Sequence, residues 1–308
     1  MLSKLIKLDL RDYRAKVKWA LPIYGLLLLS VLLTKGLSVP YLGGFTYGIA
    51  VVATIILLPA ALLLSLIHYY RHFYTNQGYL THTLPVTPGQ RYYGKLVGAF
   101  LLYFLTSLIA IFGVLILVLA KTLGERTGLA GFGTIIRSVV SWPQQIGLNP
   151  VLGWLLVFAL WLFIFIYFFA TYSFCISSGM SRRLSRFSFG GPIIVYIILY
   201  IIQQIIGLLA FLFFPLSLRL SVSLDAINSG STAVGDVLKT RIVTTMPIRR
   251  FHDLGMMGEN FGQDLPAETI FANNGYIDIG LGIFLVMLAF IIISFIWTRR
   301  RLARIDLR

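Results

Sequence analysis

Residues 89–96 read GQRYYGKL. Gly89, Gly94 and Lys95 match the phosphate-binding pattern G-x-x-x-x-G-K-[ST], in which backbone N–H groups cradle phosphate and the lysine reaches its outer oxygens. Leu96 stands where Ser or Thr should ligate magnesium. His68 and His72 are four apart, so on a helix they face one way, as paired metal ligands do. Gln203 and Gln204 place two amides in an apolar run. Cys175 is the only thiol, so no disulfide forms within the chain and thiolate metal sites are excluded.

Each of these has a competing, plainer reading. Thr87, Pro88 and Gln90 spell a helix start, with Thr as N-cap, Pro in the first turn and Gln three residues after the cap. A phosphate loop must instead follow a strand and wrap around phosphate. The match at Gly89–Lys95 is therefore read as accidental. Arg91 and Lys95 are expected to be interfacial cations, and Gly94-x-x-x-Gly98 to let another helix approach. The histidine pair lacks a third ligand: His82 is the only other histidine on its side and no Glu accompanies it, so interfacial histidines are expected and no metal. Cys175 has no histidine in its own helix to act as base. Gln203 and Gln204 are costly in hydrocarbon unless bonded, so they predict helix–helix or dimer contacts, with a polar rung on a translocation path as the alternative.

The elements that carry these residues follow from composition. Of 308 residues, 58% are hydrophobic and only 12% charged, and the mean hydropathy is +0.86. Soluble domains carry roughly 25% charged residues. The chain is an all-α polytopic membrane protein. Six stretches are long and apolar enough to cross: Trp19–Gly36, Phe45–Ile67, Leu96–Ala120, Leu152–Cys175, Pro192–Leu216 and Ile279–Thr298. The first is read as retained rather than cleaved, since no small-residue cleavage site follows it.

Lysine and arginine then set the orientation. With both termini cytoplasmic, the inside segments 1–18, 68–95, 176–191 and 299–308 hold 17 Lys/Arg against three acids, a net +14. The outside segments sum to +1. The formal charge of +15 thus belongs to the cytoplasmic rim, where anionic lipid is a sufficient partner and nucleic acid is not needed. Residues 1–18 read as an amphipathic interfacial helix, with Leu2, Ile6, Leu10, Tyr13 and Val17 on one face and Lys4, Lys7, Arg11, Arg14 and Lys18 opposite. Residues 19–308 form the membrane domain.

Two outside segments stand apart. GFGTIIRSVVSWP puts Ile135, Ile136, Val139 and Val140 on one side and reads as an interfacial helix. Residues 217–278 form an extracellular loop: DAINSGSTAVGD has the composition of a flexible connection, and LKTRIVTTMPIRRFHDLGMM has partial amphipathic character. Both are expected to pack against the outer ends of the spans.

The inside loop 68–95 carries the most specific stretch. Gly78, Tyr79, Leu80, Thr83, Leu84, Pro85, Val86, Thr87, Gln90, Gly94, Lys95 and Leu96 resemble the segment GYLxxTLPVTxxQxxxGKL of the membrane subunits of type 2 ATP-binding-cassette (ABC) exporters. There it joins the second and third spans, beginning with a short coupling helix. The interfacial helix and the six-span count resemble that family too. Where the family often has an acidic residue before this glycine, Asn76-Gln77 stand here. The resemblance implies a permease that uses a separate ABC ATPase subunit, contacted through Gly78, Tyr79, Leu80, Thr81, His82 and Thr83. It also implies no cofactor in this chain, ATP and magnesium on the ATPase, a second identical or paralogous permease, and a place in the plasma membrane. The cargo would be a peptide, a lipid or an amphipathic small molecule. Proton- or sodium-driven transport fits poorly, because no ionisable residue sits mid-span. A membrane sensor or scaffold that moves nothing is the alternative, and a co-purifying ATPase separates the two.

Overall fold

The computed structural model describes residues 2–39, 41–75, 87–145, 149–181, 184–187, 190–222, 238–248 and 276–303. Helix dominates them. We number the helices α1 (Leu2–Val17), α2 (Ala20–Gly36), α3 (Leu42–Tyr74), α4 (Pro88–Gly124), α5 (Gly128–Gln145), α6 (Pro150–Gly179), α7 (Gly190–Phe213) and α8 (Gly282–Leu302). Five of them, α3, α4, α6, α7 and α8, are long and apolar enough to cross a membrane. The helix α2 counts as a sixth only when taken with the part of α1 from Ile6, from which it is bent by 48°. This is a multi-pass helical membrane protein.

The start of α4 is the one the sequence predicts. Gln90 N–H donates to Thr87 Oγ1 at 3.4 Å, and Thr87 N–H donates to Gln90 Oε1 at 3.2 Å. With Pro88 in the first turn, this capping box satisfies orphan donors and fixes where the helix begins. Residues 89–95 are helical, so their N–H groups beyond the first turn are committed to the helix and cannot form a phosphate cradle.

The chain divides into two compact units: residues 1–139, 172–180 and 296–308 form the first, and residues 140–171 and 181–295 the second. In the first, Tyr24, Leu28 and Val31 of α2 pack with Ala50 of α3 and with Leu117 and Ala120 of α4. The Tyr24 hydroxyl donates to Thr54 Oγ1 at 2.8 Å, and Thr54 passes its own proton to the Ala50 carbonyl at 2.7 Å. Gly113 leaves room for that tyrosine, whose hydroxyl oxygen occupies the place a Cβ would need. Below this layer, Tyr13 of α1 packs with Ala61 and Leu102. Tyr69 pairs with Ser177 at 2.8 Å and Tyr92 with Ser173 at 2.9 Å, so these two buried hydroxyls are satisfied by the end of α6.

In the second unit, β1 (Ser217–Val222), β2 (Leu238–Val243) and β3 (Tyr276–Gly280) form an antiparallel sheet of order β2-β1-β3. Leu218 pairs with Ile242 on one side and Ile279 on the other. Two expectations are corrected here. The segment 217–278, read as a loop, contributes the strands 217–222 and 238–243 and most of 276–280, and the last membrane helix begins at Gly282 rather than Ile279, because Ile279 is committed to β3. The turn from β3 into α8 presses on the end of α7. A Cβ at Gly280 would lie 2.0 Å from the Phe211 carbonyl oxygen, and one at Gly282 would lie 2.2 Å from that of Ala210. Only glycine fits where backbones approach this closely. Residues 225–236, read as a flexible loop, lie outside the described residues.

Candidate functional site

The strongest chemical cluster lies where α1 meets the end of α3 and the start of α4. Asp9, Asp12, Tyr13 and Lys16 stand at spacings of three and four on α1, and so share a face. The helix α3 brings His68 and His72, and α4 brings Lys95. Asp9 and His68 are fully buried and Lys95 is 3% exposed; among the described residues these are the only buried Asp, Glu, Lys, Arg or His.

The bonding converges on one oxygen. Lys95 Nζ donates to Asp9 Oδ1 at 2.5 Å, and His68 Nε2 lies 2.9 Å from the same atom. Lys16 Nζ stands 3.3 Å from His68 Nδ1. An ammonium only donates, so Nδ1 must accept. The proton of neutral His68 therefore sits on Nε2 and is donated to Asp9. Lys95 Nζ is also 3.3 Å from His68 Nε2, but two donors cannot bond each other, so this contact reflects their shared acceptor. Burial by itself raises the Asp9 carboxyl, yet the His68 hydrogen bond and the Lys95 charge outweigh it and hold the group below its usual range. Asp9 is a carboxylate.

Around this pair the shell is aromatic and partly polar. The Tyr13 ring centroid lies 4.6 Å from that of His68, and the His72 centroid 4.0 Å from it. His72 Nε2 reaches Asp12 Oδ2 at 3.5 Å, a looser and more exposed pair. Asp9 Oδ2 has no hydrogen-bond partner among the described residues. It lies over Gly98, 3.4 Å from where a Cβ would stand.

Sequence reading placed these residues differently. Lys95, expected to be an interfacial cation, is buried as the partner of an acid 86 positions away. His68 is buried too. The face of α1 turned inward is Asp9–Tyr13, whereas Leu10 and Leu8 are exposed. The third group that His68 and His72 lacked in the sequence arrives from α1: donor atoms of Asp9, His68 and His72 lie within 4.8 Å of one another. Two imidazoles and a carboxylate suit zinc or a similar divalent ion. Here, however, the Lys95 ammonium touches both Asp9 Oδ1 and His68 Nε2, and supplies the positive charge that an ion would bring.

Of the residues proposed to contact an ATPase, Gly78, Tyr79, Leu80, Thr81, His82 and Thr83 lie outside the described residues; Thr75, at the end of α3, and Thr87, at the cap of α4, flank them. Gln203 and Gln204 lie on α7 in the second unit. Successive helical residues point about 100° apart. Accordingly Gln204 is exposed while Gln203 is half-buried, with an amide nitrogen that has no partner among the described residues. No protein-family model, curated protein or solved structure matches this chain.

Proposed function

We propose that the chain is the permease subunit of a type 2 ABC exporter. The observation that carries this reading is the stretch GYLTHTLPVTPGQRYYGKL, followed by a capped helix that runs on as a long apolar span. In this reading α1 lies in the cytoplasmic interface, and α2, α3, α4, α6, α7 and α8 are the six spans. Both termini are cytoplasmic and the membrane is the plasma membrane. Residues 76–86 receive the push of a separate ATPase, which holds ATP and magnesium. A second permease copy or paralogue encloses the path. The cargo is a peptide, a lipid or an amphipathic small molecule, and hydrolysis drives the spans between inward- and outward-facing states.

Affinity purification of the full chain in mild detergent tests the reading: an ABC ATPase co-purifies. Recovery of this chain with no ATPase under several detergents sinks it in favour of a sensor or scaffold. Orientation has its own test. In a Cys175→Ala background, Glu125→Cys is labelled by a membrane-impermeant thiol reagent added outside intact cells, whereas Arg186→Cys is labelled only after lysis. Outside labelling of Arg186→Cys reverses the topology that the +14 inner charge requires.

A further inference from the structure

The charge cluster is unusual in what surrounds it. Among the described side chains, apolar contact between α1 and the rest of the first unit is limited: Tyr13 is buried with Ala61 and Leu102, and Val17 is partly buried beside it. Leu8 and Leu10 face outward. A small, smooth apolar contact lets a helix slide or rotate at little cost, because the hydrophobic effect is not directional. A buried carboxylate with two donors on one oxygen is directional. Its best-attested use is to fix register. The donors come from α3 and α4, the two helices whose ends flank residues 76–86.

We propose that Asp9, His68 and Lys95 are positioning residues that set the register of α1 against the end of α3 and the start of α4, so that these three segments move as one body. Gly98 lets the carboxylate lie against α4. His68 takes its tautomer from Lys16 and so presents Nε2–H to Asp9. Lys95 fills the cation position of the Asp9–His68–His72 set, which makes the set a lock rather than a metal centre. What the body transmits rests on the exporter reading: it carries motion of the ATPase-facing segment into the N-terminal helix.

The test uses the full chain in nanodiscs, in a Cys175→Ala background, with spin labels at Leu8→Cys and Tyr93→Cys. Both positions are exposed. The unmodified cluster and Lys95→Arg each give one narrow distance. Asp9→Asn loses it and gives a broad or split distribution. So does the apolar triple variant Asp9→Leu, His68→Leu, Lys95→Met, which keeps the packing without the directional bonds and guards against a folding failure of the single change. Zinc titration of the unmodified chain by calorimetry shows no saturable binding. A single unchanged distance in the triple variant overturns the proposal. So does equimolar zinc binding that is lost in His72→Ala, which makes the cluster a metal site. The distance is read without any ATPase present. Expected distances with no co-purifying ATPase leave the lock standing and remove the exporter reading; an unchanged distance with a co-purifying ATPase does the reverse.

Discussion

Replacing Lys95 by methionine destabilises the chain by about 3–5 kcal/mol, whereas replacing Asp9, His68 and Lys95 together by leucine, leucine and methionine is neutral or stabilising by about 1–4 kcal/mol. The asymmetry follows from desolvation. Asp9 is fully buried and Lys95 nearly so. Each loses its water on folding, and their attraction at 2.5 Å only offsets that loss. Removing the lysine leaves a buried carboxylate with one neutral donor, His68, and no counter-charge. Removing all three polar groups leaves nothing to desolvate. The Asp12–His72 contact is a contrast: Asp12 is 44% exposed and the separation is 3.5 Å, so Asp12→Ala changes stability by no more than about 1 kcal/mol. Denaturant unfolding in a fixed detergent reads all three. A cost below about 1 kcal/mol for Lys95→Met, or a triple variant as unstable as the single one, contradicts the buried-pair account.

Local signals were readable and long-range pairings were not. The N-cap at Thr87 needs only Thr87, Pro88 and Gln90, and the sequence displays all three. The long apolar helices need only hydropathy and length. Asp9, by contrast, meets His68 at a separation of 59 residues and Lys95 at 86. Nothing on one helix says that a carboxylate will face inward. A wheel drawn by hydrophobicity shows the apolar face of α1, Leu10 included, but ranks side chains by apolarity and cannot weigh two waiting donors on other helices. Tyr13 fits both faces, being apolar in its ring and adjacent to Asp9 on the wheel.

The sheet was missed for a different reason. SLRLSV alternates apolar and polar residues, with Leu218, Leu220 and Val222 on one side, which is the period of a strand. Its neighbours carry the turn composition of a loop, which hides so short a strand. Ile279 of β3 passes for the first residue of the last span, since apolarity alone does not separate a strand from a helix over so short a run. The false phosphate loop is the converse case. Its spacing is right, yet the cap at Thr87 commits the backbone to a helix before any phosphate can be met.

The second large effect is expected at Tyr79 and Leu80, which on the exporter reading plug into the ATPase. Interfaces concentrate their energy in a few aromatic and aliphatic anchors, and truncating one typically costs about 2 kcal/mol or more. That loosens a complex about thirtyfold. Tyr79→Ala with Leu80→Ala therefore lowers ATPase recovery at least that far at limiting concentration, or leaves ATP hydrolysis running without transport. The spans still fold and insert, because both residues lie outside the apolar helices: α3 ends at Tyr74 and α4 begins at Pro88. The Leu8–Tyr93 spin-label distance also stays narrow in this variant, since the lock is built from Asp9, His68 and Lys95 and not from the loop. Arg182→Ala, in the segment 176–191 that the same reading places inside, is the control; a single basic side chain at a lipid surface contributes only about 1 kcal/mol, so on that reading its effect is mild. Equal ATPase recovery and unchanged transport in the Tyr79/Leu80 double variant place the contact on another loop. Loss of recovery in Arg182→Ala with full recovery in the double variant assigns it to residues 176–191.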